Sequence, residues 1–304
     1  MEANNSKFEK ALVIFIDILG SQSRKSFNEQ YKINSLFHNE LLENKNNNKD
    51  YLAYQRHIYT FSDCAYIIYD YKDKSTDHLG ELFNVAFSNC EMLFMKLLSH
   101  EIIFRGGTAF GDVFYENDKN MFFGEAINRA YQYESTVAKY PRIVVDNYIA
   151  NEVIKIQTDN IVKLDKDGTY YINYFNSIQQ GIDCSQIIHQ TNREFTQNII
   201  NLCKKQIRKH RKYDNVRSKY EWLKRVAEQA LPIKASGWKH SPRQNIFDEE
   251  ALMEYVKSKN LLVMPNNAPI YSDMDELKVD CFGINEELLK FVKAGKNKEK
   301  KNKE

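Results

Sequence analysis

The sequence predicts an α+β fold, and three stretches of the chain carry that prediction. Residues 11–16 (ALVIFI) form a continuous apolar run of the length expected for a buried strand. Residues 57–69 (HIYTFSDCAYIIY) are typical of two short strands that meet at a polar tip. Residues 79–98 instead repeat apolar side chains at helical spacing. A chain of 304 residues with 42% hydrophobic residues can bury a core for such a sheet and its helices.

The predicted elements follow one another in the order β-α-β-β-α-β, with a further helix and strand. This order is the split βαβ pattern of ferredoxin-like folds. The remaining elements of this part are a helix at 27–43, a solvated loop at 44–49, a helix N-cap at Asp77, a strand at 102–115 interrupted by Gly106, Gly107 and Gly111, a helix at 125–138 and a strand at 142–146.

The chain divides into a first domain at 1–155, an extension at 156–290 and a basic tail at 291–304. The extension opens with a hairpin that turns at Asp167-Gly168 and continues as a mainly helical segment. Residues 191–229 are helical and basic in the middle, and another helix is expected near 248–258. The tail is of low complexity, and we expect it to be disordered.

The composition argues against several classes of protein and of site. The net charge is +2, so there is no bulk basic footprint of the kind that nucleic-acid-binding domains carry. The five cysteines are odd in number and contain no CxxC pair, which argues against a disulfide framework or a zinc site. We expect reduced thiols and a cytoplasmic, soluble protein without a membrane partner, because no apolar run approaches 18 residues and the first residues lack a signal-peptide core.

Asp17 follows the apolar run of the first strand directly. A buried, unpaired carboxylate costs several kcal/mol, so Asp17 must be protonated, paired or bound to a metal ion. Asp63 lies at the tip of a hairpin that neighbours the first strand in a ferredoxin-like sheet. Two carboxylates at one sheet edge are oxygen ligands suited to Mg²⁺ or Mn²⁺. Each aspartate taken alone is more simply a turn or cap residue, whereas the two taken as a pair in this topology favour a metal site.

Four short motifs resemble the catalytic domain of class III nucleotide cyclases. The family's first strand has the pattern F-x-D-I-x-G, matched by FIDILG at 15–20, and its hairpin carries G-D-C or a variant, matched by SDC at 62–64. RGGTAFGDV at 105–113 is similar to the family's R-x-G-I-x-x-G-x-V strand. FGEAIN at 123–128, followed by Glu134-Ser135, is similar to its W-G-x-x-V-N helix. The resemblance covers roughly residues 10–150 and implies a ferredoxin-like cyclase palm as the catalytic domain.

The resemblance also implies a mechanism. Asp17 and Asp63 would hold two divalent ions, Mn²⁺ or Mg²⁺, helped by the backbone carbonyl of Ile18. One ion would lower the pKa of the ribose 3′-hydroxyl, and the other would neutralise the triphosphate while diphosphate leaves. The family builds its sites between two protomers, so a homodimer is implied. One protomer would supply the metal ligands, and its partner the base pocket and the helix that bears Asn128.

The base pocket departs from the purine-specific members. Tyr59 stands where they place a lysine or glutamate, and Met121 stands where adenylyl cyclases place an aspartate. A phenol and an apolar wall, with Phe15 assigned to the same substrate pocket, suit a one-ring base. With the RGG strand and AYQYE at 130–134, these residues resemble the pyrimidine cyclases of Pycsar anti-phage defence. That resemblance implies UTP or CTP as substrate, and cyclic UMP or cyclic CMP that activates a separate effector.

Two positions at which members of the family carry a cationic side chain hold other residues in this chain. Gln132 replaces the arginine that usually follows the helix asparagine by four residues, and Asp112 follows the strand glycine where relatives carry a cation. Gln132 and Asn128 lie one helical turn apart, so both can face the ribose or phosphate. Arg105 is the first candidate for the triphosphate, ahead of Arg129, Lys139 and Arg142. The predicted catalytic set is therefore Asp17, Asp63, Arg105, Asn128 and Gln132.

Two other functions remain open. The chain could be a degenerate cyclase domain that binds a nucleotide as a regulator, which Gln132 favours and the two aspartates oppose. It could also be a nucleic-acid-binding sensor that uses the basic helix at 204–212. A solvated helix face is the simpler interpretation of that segment, because acidic residues elsewhere balance its charge.

Overall fold

A computed structural model describes residues 7–21, 25–42, 53–156 and 160–231 of the chain. The α+β prediction is confirmed for this part, while the helix expected near 248–258 and the tail at 291–304 lie outside it. The strands are β1 (Glu9–Ile18), β2 (Tyr54–Phe61), β3 (Cys64–Tyr71), β4 (Phe104–Glu116), β5 (Met121–Phe123), β6 (Ile143–Val145), β7 (Val162–Leu164) and β8 (Tyr170–Ile172). The helices are α1 (Phe27–Leu42), α2 (Leu79–Ser99), α3 (Glu125–Gln132), α4 (Asn147–Ile156), α5 (Asn176–Gln179), α6 (Ser185–Ile188), α7 (Asn192–Lys209) and α8 (Asp214–Ala230).

The strands form one mixed sheet in the order β2-β3-β1-β4-β6-β8-β7, and β5 pairs with β4 outside this row. β1 lies between β3 and β4 and is antiparallel to both, whereas β4 and β6 are parallel. The predicted first strand at 11–16 extends to Glu9–Ile18, so Asp17 lies inside the strand and pairs with residues on both sides. The sheet therefore fixes the backbone of Asp17 from two directions.

Alternation along β1 separates two apolar cores on opposite faces of the sheet. Leu12, Ile14 and Ile16 belong to the larger core, to which α2, α4, α7 and α8 contribute. Val13 and Phe15 belong to the smaller core, which α3 covers with Ala126, Ile127 and Ala130. Asp17 follows Phe15 by two residues, so its side chain points to the face covered by α3.

The glycines of β4 do not interrupt the strand, contrary to the prediction from the sequence. A Cβ at Gly107 would lie 2.5 Å from the carbonyl oxygen of Ala130, and one at Gly106 would lie 2.0 Å from the carbonyl oxygen of Phe15. The glycines therefore allow α3 and β1 to approach the backbone of β4 closely. This close packing makes β4 a continuous strand of 13 residues.

Two predicted helix boundaries were wrong, and one helical segment is divided. The helix predicted at 125–138 is α3 followed by a π-helical turn, Tyr133–Val137. The helical segment at 191–229 is two helices, and Thr191 starts the first of them with a capping box to Glu194. The N-cap of α2 is His78 rather than Asp77, and its side chain makes no capping hydrogen bond.

The predicted hairpin at Asp167-Gly168 is confirmed: β7 and β8 pair across it, and Gly168 has a φ of +80°. β8 also pairs with β6, so this hairpin continues the main sheet. Within the described residues, no helix is long and apolar enough to span a bilayer. The four described cysteines, Cys64, Cys90, Cys184 and Cys203, are buried free thiols.

Candidate active site

Asp17 and Asp63 meet where β1 ends beside the β2–β3 hairpin. The backbone N–H of Ile18 donates a 2.9 Å hydrogen bond to the carbonyl oxygen of Asp63, which ties the hairpin tip to β1. Ser62 takes a φ of +51° in this turn, and His38 of α1 contacts the Ser62 carbonyl oxygen at 2.8 Å. The turn that carries Asp63 is therefore held from β1 and from α1.

The electrostatics of Asp17 indicate an acidic cluster. Burial is the largest cause that raises its pKa from 3.8 to about 6, and the negative charges of Glu134 and Asp63 raise it further. Arg105 and Lys219 act in the opposite direction. Two carboxylates that lie on different elements thus influence Asp17, as expected if their oxygens share one end of the sheet.

Arg105 lies between the carboxylates. Its Nε is 2.6 Å from Oε1 of Glu134 and 3.8 Å from Oδ2 of Asp17, and its Nη1 donates to the carbonyl oxygen of Ala138 at 3.5 Å. The Arg105 and Glu134 atoms attract each other as charges without the angles of a hydrogen bond. Burial raises the pKa of Glu134, although the positive charges of Arg105 and Lys219 lower it. Arg105 is thus a counter-ion of the cluster as well as a candidate for phosphate binding.

Asn128 and Gln132 lie on α3, the helix that covers the Asp17 face of the sheet. Both side chains are exposed, and Tyr131 between them is 53% exposed. Among the described residues, neither amide hydrogen-bonds to Asp17 or Asp63. Both predicted catalytic amides therefore lie at the surface, without a hydrogen bond to either aspartate.

Two of the predicted base-binding residues, Tyr59 and Phe15, belong to the smaller core, and the third, Met121, is exposed on β5. Tyr59 is 1% exposed, its hydroxyl donates to Oδ1 of Asn117 at 2.7 Å, and its ring stacks on Phe122 with centroids 4.4 Å apart. Burial raises the pKa of Tyr59 to about 12, so the phenol remains a neutral donor. Met121 on β5 is 38% exposed, and the buried Phe15 ring lies 5.6 Å from that of Tyr131. Roles in base binding remain predictions for all three.

The residues at the end of β1 fit a divalent cation of the magnesium type. The described residues contain no group of three or more His, Cys, Asp or Glu side chains placed to hold a metal ion. Mg²⁺, however, is commonly held by one or two carboxylates, with water and substrate phosphates as the other ligands. Asp17, Asp63 and the Ile18 carbonyl, which accepts a 3.5 Å bond from Ser21 Oγ, are oxygen donors of this kind. A cation there would also favour the ionised form of Asp17, whose pKa is raised by burial and by the charges of Glu134 and Asp63.

Sequence reasoning missed two residues of the cluster. Glu134 belongs to one of the cyclase-like motifs, but the motif gives no reason to place its carboxylate beside Arg105. Lys219 carries no sequence signal, since it lies about 200 residues after Asp17 and reaches the cluster only through the packing of α8. Helical periodicity shows which face of α8 is apolar, but not where that face docks.

The basic segment at 204–212 lies beside acidic side chains. Lys204 and Arg208 of α7 line a groove together with Glu221 and Glu228 of α8. Lys224, in the same groove, pairs with Glu228 at 3.1 Å. This mixture of charges favours a solvated face between two helices over a nucleic-acid surface.

No protein-family model and no curated protein matches this chain. Among solved structures, the monomeric guanylyl cyclase domain of the RhoGC fusion protein from the aquatic fungus Blastocladiella emersonii matches with a TM-score of 0.37 and 18% identity. The match covers 55% of this chain and 95% of that domain. A likeness at this TM-score assigns no role to any residue, so the function is inferred from the side chains of this chain.

Proposed function

We propose that this chain is a metal-dependent nucleotide cyclase that converts UTP or CTP to the 3′,5′-cyclic nucleotide and diphosphate. The observation that carries the proposal is the acidic cluster at the end of β1, where Asp63 and Glu134 act on Asp17. Both aspartates belong to the motifs that resemble class III cyclases. The antiparallel order β2-β3-β1-β4 is the one that the ferredoxin-like palm of such an enzyme requires.

In the proposed reaction, the ribose 3′-oxygen forms a bond to the α-phosphorus while the bond from the α-phosphorus to the bridging oxygen breaks. Diphosphate leaves with that oxygen, and the hydroxyl proton passes to solvent. Asp17 has a pKa of about 6, so it is mostly ionised at neutral pH and able to act as a ligand with Asp63 and the Ile18 carbonyl. Bound Mn²⁺ or Mg²⁺ would supply acidity to the 3′-hydroxyl and neutralise phosphate charge.

We further propose that the working form is a homodimer. Asn128 and Gln132 are exposed on α3, away from hydrogen-bonding contact with the cluster of their own chain. Exposed aromatic side chains also occur in this part of the chain, since Tyr131 on α3 is 53% exposed and Phe123 on β5 is 47% exposed. Burial of these rings against a second copy would bring Asn128 and Gln132 to the partner's cluster.

The pyrimidine preference rests on Tyr59, Met121 and Phe15. The exposed amide of Asn117, which accepts a hydrogen bond from the buried Tyr59 hydroxyl, would face the edge of a base, and Met121 would supply an apolar wall. A cyclic pyrimidine nucleotide made in the cytoplasm would act as a second messenger for a separate effector in anti-phage defence.

The test is incubation of purified protein with each of the four nucleoside triphosphates and Mn²⁺, followed by mass spectrometry. Cyclic UMP or cyclic CMP supports the proposal, and cyclic AMP or cyclic GMP would retain the cyclase but refute the pyrimidine preference. Nucleotide binding without product from any of the four would favour the regulator instead. Asp17→Ala and Asp63→Ala should each abolish turnover without loss of the folded protein.

A further inference from the structure

The end of β4 and the short strand β5 form an arm, residues 114–123, that extends beyond β1. β4 pairs with β1 as far as Val113, and its last three residues pair with β5 instead. The arm lies against β2, because the ring of Phe122 stacks on that of Tyr59 with centroids 4.4 Å apart. Met121, one of the predicted base-binding residues, is also on the arm. The contacts that hold the arm therefore hold one wall of the proposed base pocket.

Two polar side chains of the arm bind it to β2 and β3. The Tyr115 hydroxyl donates to Oδ2 of Asp70 at 2.6 Å. Asn117 contacts β2 twice, since its Oδ1 accepts from the Tyr59 hydroxyl at 2.7 Å and its Nδ2 lies 2.8 Å from Nδ1 of His57. The His57 ring also lies on the ring of Tyr115, with centroids 4.2 Å apart. His57 thus contacts both polar residues of the arm.

The contact between Asn117 and His57 requires a neutral imidazole. Nδ1 accepts from the amide nitrogen of Asn117, and the ring proton is then on Nε2. His57 is 6% exposed, and its Nε2 has no hydrogen-bond partner among the described residues. A protonated ring would place a second donor opposite the amide nitrogen. Turning the amide would restore a hydrogen bond but would leave a buried positive charge and an unpartnered Nε2–H.

The charged groups around His57 offer no free counter-charge for a protonated ring. Lys74 already pairs with Asp70 and, at 2.6 Å, with Oε2 of Glu9. Burial is the largest cause that lowers the pKa of His57 and Lys74 acts in the same direction, whereas Asp70, Glu9 and the hydrogen bond of Asn117 oppose them. The titratable and charged side chains around the ring are those of Glu9, Tyr59, Asp70, Lys74 and Tyr115.

We propose that the His57–Asn117 contact is a pH-sensitive switch, in which the neutral imidazole holds the arm on β2 and the protonated imidazole releases it. A histidine that titrates at a lower pH when the arm is held than when it is free destabilises the held state as the pH falls through about 6.5. Only the consequence for the nucleotide rests on the proposed function. Because Asn117 and Met121 are on the arm, its release would open the proposed base pocket and weaken nucleotide binding in acid.

The test is hydrogen–deuterium exchange of the full-length protein, followed by mass spectrometry at pH ~7.5 and pH ~5.5 and corrected for the intrinsic exchange rate. We expect peptides from residues 114–123 to exchange up to about tenfold faster at the lower pH, while α2 is unchanged. His57→Asn keeps an amide near the position of Nδ1 without a titrating group, so it should keep the arm protected at both pH values. His78→Asn, at a side chain that is 61% exposed, is the matched control and should behave like the wild type.

Corrected exchange of the wild-type arm that is equal at both pH values would overturn the proposal, as would a loss of protection in acid that persists in His57→Asn. Asn117→Ala is a second variant, at an exposed position that is not expected to affect folding. Its arm should exchange faster already at pH ~7.5 and change little in acid, and full protection would also overturn the proposal. Since no readout depends on turnover, a protein with this switch but without cyclase activity would refute the proposed function alone.

Discussion

At the scale of single residues, Asp17 destabilises the metal-free fold in a pH-dependent way. Its pKa rises from 3.8 in the unfolded chain to about 6 in the folded one. Between these values the folded chain holds a proton that the unfolded chain has released, so stability falls as the pH rises. After allowance for partial exposure, we expect Asp17→Asn to stabilise the metal-free protein by about 1–2 kcal/mol above pH ~6 and not at all below pH ~4. Urea denaturation across this pH range measures the difference.

The matched control is Asp112→Asn, because Asp112 lies on β4, is 42% exposed and pairs with Lys10 at 2.8 Å. We expect it to change stability by less than about 0.5 kcal/mol at every pH. Mn²⁺ at neutral pH should stabilise the wild type and have little effect on Asp17→Asn. If the stability of the wild type and of Asp17→Asn depended on pH in the same way, the proposed acidic cluster around Asp17 would be wrong.

Two glycines of β4 offer a second comparison at this scale. A Cβ at Gly107 would lie 2.5 Å from the Ala130 carbonyl oxygen, whereas a Cβ at Gly111 would make an ordinary 3.7 Å contact with Ala126. We expect Gly107→Ala to destabilise the protein by about 1–3 kcal/mol because it pushes α3 away from the sheet. Gly111→Ala should be neutral or stabilising by up to about 1 kcal/mol. Denaturant midpoints test the contrast, and equal midpoints would contradict the close approach of α3.

At the scale of secondary-structure elements, the sequence predicted correctly those strands and turns whose structure depends on neighbouring residues. The apolar run of β1, the β2–β3 hairpin and the turn at Gly168 were found at the expected places, since strand alternation and turn chemistry act over a few residues. The prediction that β4 is interrupted was wrong, because its glycines allow close contacts with Ala130 and Phe15, which are distant in sequence. The π-helical turn after α3 likewise carries no local sequence signal that we can identify.

The anchor of α8, in which Asp165 accepts hydrogen bonds from Arg142, Trp222 and Arg225, yields a prediction at the same scale. Burial acts to raise the pKa of Asp165, but the hydrogen bonds from Trp222, the Lys166 N–H and Arg225, together with the charge of Arg142, lower it overall. Asp165→Asn leaves the buried Arg142 with Asp167 as its remaining acidic partner, so we expect a loss of about 2–3 kcal/mol. Glu228→Gln, which breaks only a surface pair with Lys224, should cost less than about 0.5 kcal/mol. Urea titrations compare the two, and a loss for Asp165→Asn as small as the control's would contradict the anchor.

At the scale of the whole molecule, the positions of some residues of the site follow from the sequence, and the positions of others do not. The approach of Asp63 to Asp17 depends on one strand and one neighbouring hairpin, so local sequence patterns are enough to predict it. The positions of Glu134 and Lys219 depend on how α3 and α8 pack on the sheet, which no spacing in the sequence encodes. The catalytic role proposed for the exposed Asn128 and Gln132 requires an assembly larger than one chain.

That assembly gives the last prediction. If each site combines Asp17 of one protomer with Asn128 of the other, Asp17→Ala and Asn128→Ala should each be inactive as homodimers. Co-expressed in equal amounts, they would form mixed dimers in half of the population, and each mixed dimer would hold one intact site. We therefore expect about a quarter of the wild-type cyclase activity. Differently tagged subunits, purified over both tags, verify that mixed dimers are present. Mixed dimers without activity would show that one protomer does not complete the site of the other.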